Sequence, residues 1–151
     1  MPETHSTLEH IHIAAKKEFL EKGFRSASLR NIVKSAGVTT GAFYGYYSSK
    51  EELFAALVDE HYKYLLTKYK QSLSGFEELS PKRQTERMGS VGKECMQEML
   101  VYMHSHRDEF HLILLCSDGT PYSTLTDDLV ELEIKAVSYT HLRAHETTLH
   151  L

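Results

Sequence analysis

Cysteine is scarce in this sequence: Cys95 and Cys116 are the only two in 151 residues. Two thiols cannot make a disulfide framework, and their spacing matches no metal site. Their apolar helical surroundings predict reduced thiols in a core. Long apolar runs are missing as well. The longest, Leu112–Cys116, is far short of the ~20 residues that cross a bilayer. No basic start leads into an apolar stretch, so neither a signal peptide nor a membrane anchor is expected, and the chain reads as cytoplasmic. Strand-like alternation and internal repeats are absent. So are a phosphate-cradling glycine loop and any nucleophile, base and carboxylate sharing one face. These absences exclude a catalyst, and no cofactor is expected.

Charge is present but unevenly placed. Residues 1–50 carry seven lysines and arginines (Lys16, Lys17, Lys22, Arg25, Arg30, Lys34, Lys50) against four glutamates, whereas the whole chain has a net charge of -4. A basic head on an acidic body suits a protein that offers one face to a polyanion.

Apolar spacing predicts an all-α chain. Leu8, Ile11, Ala14 or Ala15, and Phe19 line one face of a first helix over Thr7–Lys22, which Gly23 should stop in the left-handed conformation. Ser28 caps a second helix through Ser35, with Leu29, Ile32, Val33 and Ala36 inward and Arg30 and Lys34 in water. Gly37–Val38 makes a tight turn, with Val38 tucked between two helices. A third short helix runs from Thr39 or Thr40 to Tyr46. Ser48 or Ser49 then caps a long fourth helix with the stripe Leu53, Phe54, Leu57, His61, Leu65 and Tyr69, and Glu51 and Glu52 in its first turn.

Beyond it, Ser72–Pro81 reads as a linker. A fifth helix spans about Lys82–His104 and carries Met88, Val91, Cys95, Met99 and Met103 on one side. The sixth, Glu109–Cys116, is apolar enough to be buried all round. After a break at Ser117–Pro121, a seventh helix starts over Thr124–Lys135.

A helix, a short glycine turn and a second short helix form a helix-turn-helix, whose second helix can lie in the DNA major groove. Ile32, Val38 and Phe43 would lock the two together and leave Thr39, Thr40, Gly41 and Tyr44 outward. Gly41 is costly in a helix, by about 1 kcal/mol against alanine, and close approach to a phosphate or base edge would explain it. Phe43 and Tyr47 share the buried face. Tyr44 and Tyr46 point elsewhere, with hydroxyls that can donate to phosphate oxygens, and Lys50 can add a charge-assisted bond.

The stretch Ala15–Leu57 resembles the TetR family of repressors. It reads A-x-x-x-F-x-x-x-G-F, then S-L-R-N-I-V-K-S-A-G-V-T-T-G-A-F-Y-G-Y-Y-S-S-K-E-E-L-F. The resemblance implies a three-helix helix-turn-helix head over 7–50, joined by a long fourth helix to a helical regulatory body over 51–136. It implies a ligand-responsive transcriptional repressor that binds a palindromic operator in double-stranded DNA as a homodimer and is released by a small-molecule inducer. By position, Ser28 matches the helix-capping residue that touches phosphate. Thr39, Thr40, Gly41 and Tyr44 match recognition-helix positions, and Lys50 matches the lysine that binds the DNA backbone. The chain departs from the family at Tyr46, usually histidine, at Tyr47, often phenylalanine, at Thr40, often lysine, and at Gly45, where many relatives carry a side chain aimed at DNA.

The body offers Met96, Met99, Met103, Phe110 and His111 as candidate pocket residues, methionine suiting irregular apolar ligands. Relatives usually continue for several more helices, so the body is expected to be incomplete and dimerisation of this chain impaired. The string SYTHLRAHET at 138–147 resembles translated adaptor DNA, and 137–151 is expected to be a non-native tail. His141 and His145 stand four apart there, but not in an HExxH arrangement, and no metal site is expected. The competing reading is a non-enzymatic helical protein-interaction module, which has no reason to gather Lys, Thr, Gly and Tyr on a short helix after Gly37.

Overall fold

Every regular element in the computed structural model, which describes residues 6–148, is helical. The order is α1 (Thr7–Ser26), α2 (Leu29–Ala36), α3 (Thr40–Tyr46), α4 (Lys50–Glu77), α5 (Pro81–Ser105), α6 (Arg107–Leu115), a 3-10 turn (Pro121–Thr124) and α7 (Leu125–Thr148). The all-α prediction holds, with α4 as the long helix that runs from the N-terminal head into the C-terminal helical region. No described helix is long and apolar enough to cross a membrane.

Local chemistry sets the helix starts. Ser6 and Glu9 form a reciprocal capping box, the Ser6 hydroxyl accepting from the Glu9 amide while the Glu9 carboxylate accepts from the Ser6 amide. Ser49 plays the same capping role for α4, accepting from the Glu52 amide at 3.1 Å. The Glu52 carboxylate turns back onto the Ser48 amide and hydroxyl, and the hydroxyl bond holds it below the usual carboxylate range.

Gly23 interrupts α1 where expected, but at φ 73° and ψ 166°. That combination is extended rather than left-handed, and essentially only glycine adopts it. The chain therefore turns sharply there and resumes one short helical turn through Ser26.

The helices gather into two compact units, each described by itself. One holds the chain up to Tyr62 together with His106–Ser123, and the other holds Lys63–Ser105 with the stretch from Thr124 onward. In the first, Ile11, Ala15, Phe19, Ile32, Phe43, Leu53, Phe54 and Val58 are fully shielded, joined by Leu112 and Ile113 of α6. Phe54 meets Phe19 and Phe24 edge-on at 5.0 and 5.4 Å between ring centroids, contacts worth about 0.5–1.5 kcal/mol each beyond burial. α6 packs on α1. The Phe24 amide donates to the Cys116 carbonyl at 2.8 Å, and Lys16 pairs with Glu109 at 2.6 Å.

In the second unit the shielded apolar side chains are Leu65, Cys95, Met99 and Leu125. Tyr64 and Tyr102 stack at 3.7 Å, Lys68 pairs with Glu98, and the Tyr69 hydroxyl donates to Glu133 at 2.6 Å. Burial and the Glu133 carboxylate push the Tyr69 phenol up to about 12.

Two expectations need correction. The linker expected over Ser72–Pro81 shrinks to the short break after Glu77, because Leu73 and Phe76 continue the half-buried stripe from Tyr69 and keep the chain helical. Packing outweighs the weak helix propensity of Ser72, Ser74 and Gly75. α6 is not buried all round: Phe110, Leu112 and Ile113 are buried, but Leu114 and Leu115 are 47% and 74% exposed. A nine-residue helix packed along one side shields only that side. α7 continues past Lys135 to Thr148, carrying Val137, Tyr139 and Leu142 more than half exposed. Both cysteines are buried free thiols, as expected, and burial pushes the Cys116 thiol up. The Met88 and His145 side chains and all of His150 lie outside what is described.

Candidate nucleic-acid interface

Two short helices and one glycine build the surface. The Ser28 hydroxyl accepts from the Asn31 amide at 3.2 Å and starts α2. Gly37 closes α2 at φ 67° and ψ 26°, the left-handed conformation that glycine adopts without steric cost. Its own amide bonds back to Lys34 and that of Val38 to Val33, which finishes the helix and frees the chain to turn. The Thr39 hydroxyl then accepts from the Ala42 amide at 3.1 Å and starts α3.

Ile32 of α2 and Phe43 of α3 are completely buried, and Val38 in the turn is half-buried. Phe43 is the one buried residue of α3, and Thr40, Gly41, Tyr44 and Tyr46 are exposed, Tyr44 and Tyr46 at 54% and 47%. A side chain built at Gly41 would meet nothing within 4 Å among the described residues. No packing inside the chain demands a glycine there.

Six of the seven predicted contact residues lie on or at the ends of this motif: Ser28, Thr39, Thr40, Gly41, Tyr44 and Tyr46. Lys50 is placed differently. Its ammonium donates to the carbonyls of Arg25 and Ala27 at 3.3 and 3.2 Å and sits 4.7 Å from the centre of the Phe24 ring. In this conformation it closes the carbonyl end of α1.

Arg30 and Lys34 were expected only to be solvated. They stand four apart on α2 and line one groove with Leu29, Val33, Thr40 and Tyr44. Their spacing was the available signal, and it puts two cations beside the exposed hydroxyls of α3.

Glu18 was missed entirely. It is 9% exposed and accepts from Lys22 at 2.7 Å and from the Ser28 amide at 3.1 Å, with the Asn31 amide group at 3.5 Å. The Lys22 hydrogen bond, helped by the Ser28 amide, holds its carboxyl below the usual range. Glu18 thus pins the start of α2 to α1, and in sequence it looks like one more surface acid.

The five candidate pocket residues do not share a unit. Met96, Met99 and Met103 lie in the second unit, whereas Phe110 and His111 lie in the first. Met99 and Phe110 are buried, Met103 is half-buried, and Met96 and His111 are exposed. A cavity of about 540 Å³ opens in the second unit, and of the five only Met96 lines it, beside Tyr69, Leu73, Phe76, Val91 and Cys95.

Residues 11–57 match the family described as bacterial regulatory proteins, tetR family. Over 117 residues the chain is 32% identical to the uncharacterized HTH-type transcriptional regulator YvdT of Bacillus subtilis, a match covering 78% of this chain and 54% of that protein. It is 36% identical over 58 residues to the HTH-type transcriptional repressor NemR of Escherichia coli, covering 38% of this chain and 29% of the repressor. The chain thus spans about half the length of the first of these relatives and under a third of the second. A solved transcriptional regulator of the TetR/AcrR family from Aquifex aeolicus VF5 shares the fold, with a TM-score of 0.56 over 97% of this chain and 86% of that one, at 23% identity. The matched segment is the one that builds the glycine turn and the exposed short helix, and over that segment the chain is similar to the tetR family of bacterial regulatory proteins.

Proposed function

We propose that the chain is a DNA-binding transcriptional regulator, a repressor that a small-molecule ligand releases from its operator. One observation carries the reading: α3 exposes Thr40, Gly41, Tyr44 and Tyr46 on a helix-turn-helix whose inner face is closed by Ile32 and Phe43. A glycine inside a helix costs about 1 kcal/mol against alanine, and an outside partner that must approach the backbone closely accounts for it. The Ser28 and Thr39 hydroxyls accept from backbone amides and keep their hydrogens to donate to phosphate oxygens. Arg30 and Lys34 supply charge beside them. Regulators of this family act by binding DNA rather than by turnover.

The finer reading assigns DNA binding to 7–50 and regulation to 51–136, and treats 137–151 as a non-native tail. The exposure of Val137, Tyr139 and Leu142 supports the last of these. Two heads of a homodimer would read half-sites ~34–36 Å apart on a palindrome. The cavity beside Tyr69, Phe76 and Cys95 has the size and apolar lining that suit a small apolar or aromatic inducer.

Selection of bound sequences from a random double-stranded DNA library tests the proposal. The expected result is an enriched half-site motif, which becomes two-fold symmetric only where two heads bind together. Tyr44→Phe should then weaken binding to it by about 0.5–1.5 kcal/mol, the net worth of one hydrogen bond. A library that emerges unenriched would overturn the function.

A further inference from the structure

Tyr47 stands where the family often has phenylalanine, and its hydroxyl has found a partner 35 positions away. His12 Nε2 of α1 lies 2.5 Å from the Tyr47 oxygen. Tyr47 is also the C-cap of α3: its amide donates to the Phe43 carbonyl at 3.1 Å, and its ring leans on Phe43 at 6.1 Å between centroids. The recognition helix has only seven residues. Thr39 fixes its first turn, and the Tyr47 ring, held between Phe43 and His12, fixes its last.

We infer that His12 is a positioning residue for the recognition helix, setting the seat of α3 on α1 through the Tyr47 hydroxyl, and that protonating it weakens the head's hold on DNA. This rests on the DNA-binding reading above. A neutral imidazole nitrogen can accept the Tyr47 proton. Once protonated, Nε2 can only donate, so the bond must reverse: the Tyr47 oxygen accepts from Nε2–H, and the phenol hydrogen turns out of the line it held, which shifts the ring on its seat against Phe43.

The surrounding charges oppose protonation. Burial, then the Lys16 ammonium, hold His12 below its usual value, while burial and the Glu52 carboxylate hold the Tyr47 phenol above its own. The groove that His12 lines also carries Lys16 and Lys17 of α1 and Asp108 and Glu109 of α6. Of that acidic pair, Glu109 is already bound to Lys16.

The test measures DNA affinity of the full chain at pH 7.5 and pH 5.5, with imidazole and amide titrations followed by NMR. His12→Gln keeps a group that can accept a hydrogen bond but cannot titrate. On acidification the parent should lose affinity by roughly two- to tenfold more than His12→Gln, the worth of one hydrogen bond. The other nine histidines titrate in both proteins, so only the difference counts. Tyr47→Phe should lower affinity by a similar factor at pH 7.5. In the parent, amide signals of residues 40–46 should titrate with the His12 ring, and in Tyr47→Phe they should not. Equal pH profiles for the parent and His12→Gln, or α3 amides that ignore the His12 titration, would overturn the inference while leaving DNA binding in place. If the amides follow His12 but no DNA binds at either pH, the DNA-binding reading fails instead.

Discussion

Removing Glu18 should loosen the start of α2 more than any exposed acid could. The carboxylate accepts the Ser28 amide at 3.1 Å, a bond to a charged acceptor that typically contributes about 1.5–3 kcal/mol. Its pair with Lys22 involves a 40% exposed side chain and adds only about 0.3–0.5 kcal/mol, as one-turn helix pairs do. The Asn31 contact, at 3.5 Å, contributes little. Glu18→Ala should therefore lower stability by about 2–3 kcal/mol, and Glu18→Gln, which keeps an oxygen for the Ser28 amide, by about 1 kcal/mol. Urea denaturation followed by far-UV circular dichroism reads both. Acidity gives a second handle on the same side chain. Its folded-state pKa lies below the ordinary 4.5, so its contribution is present above about pH 4.5 and is lost as pH falls through the folded value. The parent should lose this increment on acidification, and Glu18→Gln should have no such increment to lose. Glu18→Ala within about 0.5 kcal/mol of the parent, the usual scatter of surface changes, would refute the idea that this carboxylate anchors α2.

Gly37→Val forces a branched side chain into a left-handed conformation and should cost at least about 1–2 kcal/mol, visible as a lower melting temperature. An unchanged melting temperature would mean that the turn can be made another way. Lys50→Met keeps much of the stem over Phe24 but removes the donor to Arg25 and Ala27. It should lower stability by about 0.5–1.5 kcal/mol and reduce the salt dependence of DNA binding by about one counterion. Lost stability with an unchanged salt slope would assign Lys50 to the helix end alone.

What could be read in the sequence was local. Ser28, Gly37 and Thr39 act on amides or carbonyls within a few positions, so their residue types announce the motif, and the inward places of Ile32 and Phe43 follow from the helical period. The contacts that seat the motif are not local. His12 reaches Tyr47 across 35 positions, Glu18 reaches Ser28 across ten, and Lys16 reaches Glu109 across 93. No period or cap signals these pairings, and His12, Glu18, Lys16 and Glu109 each look alone like an ordinary solvated side chain. The candidate pocket residues are divided between the two units for a related reason. Met96 and His111 fit a general idea of ligand lining, but the lining is selected by which helices meet, and α6 meets α1. Composition also misled at Ser72–Glu77, where helix breakers yield to a stripe that began four residues earlier.

The bond from the Phe24 amide to the Cys116 carbonyl joins two main-chain groups. Its energy belongs to no side chain, so replacing either residue leaves donor and acceptor in place. Alanine scanning of α1 and α6 would therefore return the aromatic packing of Phe24 and the ion pairs of Lys16 with Glu109 and of Arg25 with Asp118, and remain blind to this join. By the same logic, sequence drift at both positions can proceed without severing it. Only an edit to the chain itself, such as an ester in place of the Phe24 amide, would reveal how strongly α6 is fastened to the helix that carries His12 and Glu18.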